Sequence, residues 1–416
     1  MIWVALGAVV LAVATTGMIL RVRQAWNHYP TYHDVHYRVR TLDGWDLSLF
    51  RYIYTAGSEK NETSNPRPVI ILCHDIGGSP QLWEQDGPRS WPLQLKRLGY
   101  DVWSIGLRGT SSSEPNYLDV YHGWGWDLDA HLSYDLQAVL STIQQHTKDA
   151  QRHWLGHGLG GAMGLIAHTQ GKMEFSSITT INTGLKPLQR FRGLAIFMQW
   201  WPISFVPLHH FYRWSSPIRW LMQKFGRLRS RLFQQAQLPH AAFSPALALQ
   251  LKPLSTQALR QALRWWYNGD WKLQPGQASL HKQLPNLSCP VRCISTPGST
   301  QAPSHAVERL LQHLPESKRH GLWISNACSM KKTFPGQESK ETQDIPVYSP
   351  NNGLLKEQSE VGQAPFGHYA PLLDPDLREI LVNEIHSWHQ NHFSPEPKKK
   401  RRRKSKKKTH PPTSPA

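Results

Sequence analysis

The stretch that decides the fold is His153–Gly161, which has the sequence HWLGHGLGG. Its first three residues predict a short strand, and the apolar residues that follow Gly161 have the spacing of a helix. Glycines fill the junction between the two elements. Because glycine adopts backbone conformations that are costly for other residues, the stretch predicts a strand that turns sharply into a helix at Gly158.

The alternation of apolar runs and helical patterns continues on both sides of this turn. Continuous apolar runs are typical of strands that are buried on both faces of a parallel sheet. The segments between them have helical spacing, so the pattern predicts an α/β fold with a doubly wound, mostly parallel sheet. An Asp43-Gly44 pair between alternating runs predicts a preceding hairpin. The predicted strands are residues 69–73, 100–105, 153–155, 178–182, 291–295 and 322–324, and the predicted helices include 136–143 and 377–388.

Two stretches interrupt the pattern within the predicted domain, residues 27–395. Residues 191–282 are rich in tryptophan, arginine and proline and lack strand signals, which predicts a helical insertion. Residues 326–365 are polar and rich in Lys, Glu, Gln, Ser and Pro, which predicts a mobile loop.

Residues 1–26 have the composition of a transmembrane anchor. Met1–Leu20 contains no charged side chain, and about 20 apolar residues are enough to cross a bilayer as a helix. Arg21 and Arg23 follow at once, and positive charges beside a span favour the cytoplasmic side. A cleaved signal peptide is the alternative, but the charged start that is typical of one is absent. The sequence predicts a single-pass membrane protein whose soluble domain is cytoplasmic.

The positive charge of the chain is concentrated near its C-terminus. The formal net charge is +18, and ten positive charges lie in residues 398–408. Without that run the chain is only mildly basic, so the charge count does not favour nucleic acid as a partner. Residues 396–416 are predicted to form a disordered basic tail. Beside a membrane anchor, its favoured partner is anionic lipid, at about 1 kcal/mol per basic residue near the surface.

The cysteines indicate neither a disulfide framework nor a metal site. There are four in 416 residues, which is too few to staple a chain of this size. Cys289 and Cys293 have CxxxC spacing, which is typical of neither a metal site nor a redox pair, so the cysteines are interpreted as buried or free thiols. No metal ion and no organic cofactor is predicted.

The chain resembles the α/β-hydrolase superfamily, and within it the acid-lipase type and related bacterial lipases and esterases. The resemblance extends from the predicted hairpin to the last predicted helix, and it implies that the helical insertion is a lid. It is carried by residues 41–44, 69–74, 100–103, 106–109, 126–128, 134–136 and 154–161 and by Phe366-Gly367-His368.

The resemblance also implies where an active site would lie. It assigns the nucleophile to position 158 and the catalytic histidine to His368. It assigns the orienting acid to position 299, after the strand 291–295. In this fold, the amide after the nucleophile and an amide of the loop after the first core strand bind the oxyanion. Ile76 and Leu159, with Asp75 beside them, are therefore the predicted oxyanion and ligand-binding residues.

Three positions depart from the family's pattern. Gly158 stands where a serine nucleophile is expected, and Ser299 stands where an aspartate is expected. The alternative acid position, Asn182-Thr183-Gly184, offers no carboxylate. His74-Asp75 replaces the usual His-Gly pair, which puts a carboxylate where negative charge develops. That charge opposes oxyanion stabilisation unless Asp75 turns away.

These departures leave two functional hypotheses. In the first, the chain is a membrane-anchored, lipase- or esterase-like protein that lacks serine hydrolase activity. It would bind an acyl or lipid ligand, or a protein partner, through the inherited pocket, and His368 would be a retained structural residue. In the alternative, the chain is an active carboxylic-ester or lipid hydrolase that uses a displaced nucleophile or a water activated by His368.

Overall fold

A computed structural model defines the fold. It describes residues 31–54, 66–110, 113, 126–147, 149–185, 255, 257–262, 280–296, 298–299, 302–324, 329–333, 345–346 and 370–393.

The sheet of the described residues has ten strands in the order β1-β2-β4-β3-β5-β6-β7-β8-β9-β10. The six strands from β4 to β8 in this order are parallel, and antiparallel strands flank them at both edges. The predicted α/β fold with a mostly parallel sheet is therefore confirmed. The strands are β1 (Val35–Arg40), β2 (Asp46–Tyr52), β3 (Val69–Cys73), β4 (Asp101–Ile105), β5 (Arg152–His157), β6 (Ser177–Ile181), β7 (Val291–Ser295), β8 (Arg319–Ile324), β9 (Ser329–Thr333) and β10 (Ile345–Pro346).

Helices connect the parallel strands, as crossover connections require. A π-helical turn, His131–Asp135, joins the second helix to the third. The helices are α1 (Trp91–Arg97), α2 (Leu128–Ala130), α3 (Leu136–His146), α4 (Leu159–Thr169), α5 (Leu280–Gln283), α6 (Ser304–His313), α7 (Ala370–Leu373) and α8 (Pro375–Phe393), with 3₁₀ turns at Pro80–Leu82, Gly87–Arg89, Leu284–Asn286 and Glu316–Lys318.

The core lies on both faces of the sheet, because side chains of a strand alternate between its faces. In β3, Val69, Ile71 and Cys73 pack in one cluster with residues of α3, α4 and α6. Ile70 and Leu72 pack in a second cluster with residues of α1 and α8. Each fully buried aliphatic side chain contributes about 1.5–3 kcal/mol, which explains why β3 is apolar along its whole length.

The strand order places two loops side by side. The chain passes from β3 to β4 on one side and then returns across β3 to β5 on the other. In open α/β sheets, a crevice forms outside the carboxyl ends of the strands at such a switch point. Asp75 follows β3 and Gly158 follows β5, so the topology brings these two residues to the same crevice.

Part of the predicted organisation falls outside the described residues. In the part that the structure describes, no helix is both long and apolar enough to cross a bilayer. The predicted anchor, residues 1–26, lies outside that part, as does the basic tail, residues 396–416. Of the predicted insertion, 191–282, only residue 255, the helical residues 257–262 and the start of α5 are described. Within the predicted loop, 326–365, the structure contains strands β9 and β10, which the sequence analysis did not include.

Candidate active site

The turn between β5 and α4 has the sharp geometry predicted from its glycines. Gly158 has φ +54° and ψ −122°, a conformation that side chains rarely adopt. Its N–H donates to the carbonyl oxygen of Ile181 at 2.8 Å, and Thr183 Oγ1 donates to its carbonyl oxygen at 2.7 Å. The end of β6 therefore holds the turn in place. The backbone of a nucleophile turn is present, but position 158 offers no hydroxyl.

The flanking glycines allow α4 to approach the strands closely. A Cβ atom on Gly160 would come closer than 3.0 Å to the carbonyl oxygens of Cys73 and His74, and one on Gly156 would collide with the backbone of Gly160. Neither position has room for a side chain. This close packing brings the N-terminus of α4 against the loop that follows β3.

The Asp75 side chain occupies the predicted oxyanion hole. Its Oδ1 atom accepts hydrogen bonds from the N–H of Ile76 at 2.8 Å and from the N–H of Leu159 at 2.6 Å. These are the two amides that the family resemblance assigns to the oxyanion. The sequence left open whether Asp75 turns away from the oxyanion hole. It does not: Asp75 is 4% exposed, and its carboxylate points into the hole.

The same carboxyl group fills the volume of the missing nucleophile. An ideal Cβ atom on Gly158 would lie within 2.5 Å of the carboxyl carbon and both carboxyl oxygens of Asp75. Atoms do not approach so closely without a covalent bond. A serine at position 158 and the observed position of Asp75 thus exclude each other, and the glycine is a steric requirement of the aspartate.

Helix α4 stabilises the buried charge of Asp75. The helix has 11 residues, and its first free N–H, that of Leu159, donates to the carboxylate. The N-terminus of a helix carries a partial positive charge and favours anions. Asp75 acts on α4 as a capping residue does, although it comes from a loop 84 residues earlier in the chain.

Two neighbouring groups are unsuited to replace the nucleophile and the base. Burial, and then the charge of Asp75, raise the pKa of the Cys73 thiol, so it stays protonated. Burial lowers the pKa of His74 to about 4, so its ring is neutral at pH 7. Its Nε2 accepts from the N–H of Leu107 at 3.3 Å, and its Nδ1 therefore donates to the carbonyl oxygen of Asp75 at 2.7 Å. Both ring nitrogens are used to hold the loop.

A buried ionic network supports the other wall of the crevice. Arg108, in the loop after β4, contacts Asp135 through its Nε at 2.8 Å and Asp43 through its Nη1 at 2.7 Å. His131 Nδ1 contacts Asp135 at 2.9 Å. Burial alone would raise the pKa of Asp135, but the hydrogen bond from His131 and the charge of Arg108 hold it below its ordinary value. Sequence reasoning noted the segments but missed the network, since no spacing links residues so far apart.

A small cavity lies between the loop after β3 and the loop after β4. It is lined by Ile76 and Gly77 from the β3 loop, by Arg108 from the β4 loop, and by Trp126 and His131. Its free space is that of about one water molecule. The cavity is therefore too small to accept an acyl chain as it stands.

The predicted acid position has a structural role. Ser299 is 2% exposed, and its Oγ accepts a hydrogen bond from the N–H of Ala302 in the turn that leads to α6. At the alternative position, Asn182 has φ +51°, and its Oδ1 accepts from the N–H and the hydroxyl of Thr296. Ser299 holds the turn before α6 and Asn182 joins the ends of β6 and β7, and neither supplies the negative charge that a catalytic histidine needs.

The structure leaves one predicted residue untested. His368 lies outside the described residues, so its distance to Gly158 stays a prediction. Across the residues that are described, no group of three or more His, Cys, Asp or Glu side chains is arranged to hold a metal ion.

Comparison with known proteins agrees with the fold. A family profile described as the alpha/beta hydrolase fold matches residues 68–287, which is more than half of the chain. The chain therefore belongs to the α/β-hydrolase family.

Its relatives include curated lipases. The chain is 33% identical to gastric triacylglycerol lipase of Rattus norvegicus over 175 residues, or 41% of this chain and 43% of that protein. It is 30% identical to human lipase member J over 162 residues, or 38% of this chain and 42% of that protein. The match thus spans less than half the length of these relatives. Among solved structures, a lipase described as putative from Acinetobacter baumannii AYE is 12% identical with a TM-score of 0.49, over 91% of this chain and 96% of that one.

Proposed function

We propose that this chain is a lipase-like member of the α/β-hydrolase family that lacks serine hydrolase activity and acts by binding. The ligand class is acyl or lipid, with a protein partner as the other possibility, and the N-terminal segment attaches the chain to a membrane. The single observation that carries the proposal is the Asp75 carboxylate, which accepts the N–H groups of Ile76 and Leu159 beside a glycine at the nucleophile position.

This arrangement removes two separate components of ester hydrolysis. Without a hydroxyl at position 158, no acyl-enzyme can form at the turn. With both amides bound to Asp75, the carbonyl oxygen of an ester finds no donor as it becomes negative, and the loss of even one such donor costs about 10²–10³ in rate. The carboxylate adds like-charge repulsion to that loss. What remains of the inherited site does not stabilise the transition state, so binding is the function that we propose for it.

The similarity to lipases supports the ligand class. Relatives of the matched region are named for triacylglycerol lipase activity. Acyl chains are recognised by apolar contacts rather than by the catalytic groups, so the loss of those groups does not by itself remove affinity for a lipid.

A reciprocal exchange of two side chains tests the proposal. We expect the wild-type protein to resist a fluorophosphonate probe and to leave p-nitrophenyl butyrate intact. Gly158→Ser alone stays unlabelled, because its Cβ and the Asp75 carboxylate compete for one volume. Asp75→Gly alone also stays unlabelled, because it lacks a hydroxyl. Asp75→Gly with Gly158→Ser restores the hydroxyl and empties the hole, so labelling should be found in the double variant only.

The rate of the double variant is expected to remain low. Ser299 leaves the histidine without an orienting charge, and adding Ser299→Asp should raise labelling further, with strongly non-additive effects. Turnover of an ester by the wild-type protein at about 1 per second or faster would overturn the proposal.

The position of Asp75 also favours a second candidate, a hydrolase with a displaced nucleophile. Its carboxylate stands where the nucleophile's side chain is expected. If wild-type turnover is seen, Asp75→Asn distinguishes the candidates. Loss of turnover would identify Asp75 as the group responsible, whereas His368→Ala tests whether a histidine-activated water is involved.

A further inference from the structure

A cluster of histidines lies at the edge of the sheet opposite to Gly158. His153 is the second residue of β5 and His320 the second of β8, and α8 brings His389 and His392 against them and His386 against the neighbouring Tyr100. The glycine turn follows the carboxyl end of β5, whereas this cluster lies at the amino ends of the strands. It is therefore separate from the candidate active site. We call these five residues the histidine cluster.

Direct contacts join the cluster to the strands. The rings of His153 and His389 stack with their centroids 4.1 Å apart. Ser177 Oγ, at the start of β6, lies 2.8 Å from His153 Nδ1 and 3.2 Å from His389 Nε2. The Tyr100 hydroxyl lies 3.1 Å from the Nδ1 atoms of both His389 and His386. The imidazole rings of α8 thus make polar contacts with Tyr100 and with Ser177 at the start of β6.

The second half of the cluster faces β7 and β8. The ring of His320 lies 5.1 Å from that of His392 and 5.4 Å from that of Trp388. Arg292, from β7, donates to the carbonyl oxygen of Glu384 at 2.8 Å and to its carboxylate at 3.1 Å. The Glu384 carboxylate, which α8 brings to the cluster, is therefore paired with Arg292.

The electrostatic surroundings oppose protonation of the buried rings. His153 is 1% and His389 is 5% exposed. Burial lowers the pKa of His389 well below its ordinary value, and the charges of His153, Arg292, His386 and His392 lower it further. Burial also lowers the pKa of His153 and of His320, each to about 4. The neighbouring hydroxyl of Tyr100 is likewise buried and its pKa is raised, so it supplies no negative charge.

Helix α8 lies at the end of the described part of the chain. Of the described elements, it is the last in the chain and is joined to the others by α7 only. Terminal elements open at a lower free energy than central strands. The hydrogen-bond ladders of the parallel strands do not include residues of α8, although its apolar side chains cover one face of the sheet.

We propose that the histidine cluster is an acid-sensitive latch, which holds α8 on the sheet at neutral pH and releases it when its imidazoles are protonated. Helix α7 directly precedes α8 in the chain, so release of α8 also frees the C-terminal end of α7 from its contacts with α8. The latch goes beyond the proposed binding function and does not depend on it.

The pH range follows from the direction of the pKa shifts. A histidine whose pKa is lowered in the docked state takes up a proton on release at any pH between its docked value and the free value of about 6.5. Docking is then fully favourable above about pH 6.5 and weakens as the pH falls towards 4. Each such histidine changes the equilibrium constant for docking of α8 by up to tenfold per pH unit. Because three of the rings are buried, their effects multiply and the docking equilibrium depends steeply on pH.

Hydrogen exchange measured by mass spectrometry on the full-length protein tests the latch. Between pH 7.5 and 4.5 we expect the protection factors of α8 to fall by at least a hundredfold, while those of β3 and β5 remain. His389→Phe keeps an aromatic ring beside His153 but takes up no proton, so it should make the loss of protection shallower and move it to lower pH. Its matched control is His313→Gln, an exposed histidine on α6, which should leave the profile unchanged.

The outcome is decisive in either direction. If α8 keeps its protection down to pH 4.5, or if His389→Phe has the wild-type profile, the latch is wrong. Loss of protection in α8 and β5 at the same pH would show global acid unfolding and would also contradict it. Should His389→Phe fail to fold, His320→Phe makes the same test at the other half of the cluster.

Discussion

At the scale of single residues, one carboxylate and one glycine define the candidate site together. Asp75 is held by two amides and fills the space in which a side chain at position 158 would lie. A carboxylate that accepts several N–H bonds beside a helix N-terminus is a stable arrangement. The site therefore resembles an oxyanion hole that is permanently occupied by a group of the protein itself.

The two amides of the oxyanion hole bind the carboxylate of Asp75. When Asp75 is removed, a carboxylate from solution should bind in its place. We expect Asp75→Ala to lower stability, because each buried amide left unsatisfied costs about 1–3 kcal/mol. Acetate should then raise the melting temperature of the variant as its concentration rises, as a ligand of the folded state does. Sodium chloride at equal ionic strength is the control for both proteins. An equal effect of acetate on wild type and variant would exclude specific binding in the hole.

At the scale of elements, an ionic contact adds to apolar packing in fixing the loop after β4 to the π-helical turn that precedes α3. Asp135 and Arg108 are almost completely buried, at 0% and 2% side-chain exposure. Removing Asp135 takes away the fully buried partner of Arg108, and the remaining partner, Asp43, is 28% exposed and compensates the buried charge less completely. Breaking such a pair costs about 3–5 kcal/mol.

We therefore expect Asp135→Asn to lower the free energy of unfolding by about 3–5 kcal/mol, measured by urea denaturation. The control is Asp46→Asn, which removes the partner of Arg40 in an ion pair at the surface. Exposed pairs contribute about 0–1 kcal/mol, so this control should change little. If both variants lose a similar free energy of unfolding, the buried network at Asp135 contributes no more to stability than an ion pair at the surface.

The fold could be predicted from the sequence because its signals are local. The apolar run of β3 and the glycines around position 158 each indicate their structure within a few residues. The family resemblance placed Asp75 beside the oxyanion position, but the direction of its side chain could not be predicted, since that depends on a contact with Leu159, 84 residues away. The stacking of His153 on His389 depends in the same way on where α8 docks. Strand β9, SMKKT, was missed because it lacks the continuous apolar run from which the parallel strands were predicted.

At the scale of the whole molecule, the chain is predicted to have a membrane contact at each end of the domain. The apolar N-terminal segment is the proposed anchor, and the basic tail is the proposed contact for anionic headgroups. Both rest on the sequence. Their arrangement implies that the domain is held close to a bilayer surface, where an acyl-binding site would meet its ligand.

For the tail, we expect the full-length protein to bind vesicles that contain phosphatidylserine, with a contribution from residues 398–408 that weakens as salt rises. Deletion of these residues should remove the salt-dependent part of binding and leave the part due to the N-terminal segment. Vesicles of phosphatidylcholine alone are the control. Unchanged salt dependence after the deletion would assign the electrostatic contact to another surface.

The hydrogen bond between Leu159 and Asp75 also has a spectroscopic consequence. At 2.6 Å it is short for an N–H donor and is assisted by the charge of its acceptor. A proton in such a bond is strongly deshielded, so the Leu159 amide should resonate far downfield of the other backbone amides. In the Asp75→Ala variant that signal should move upfield. One resonance then reports, in a single spectrum, whether the interior of the site is closed by its own aspartate or open to another molecule.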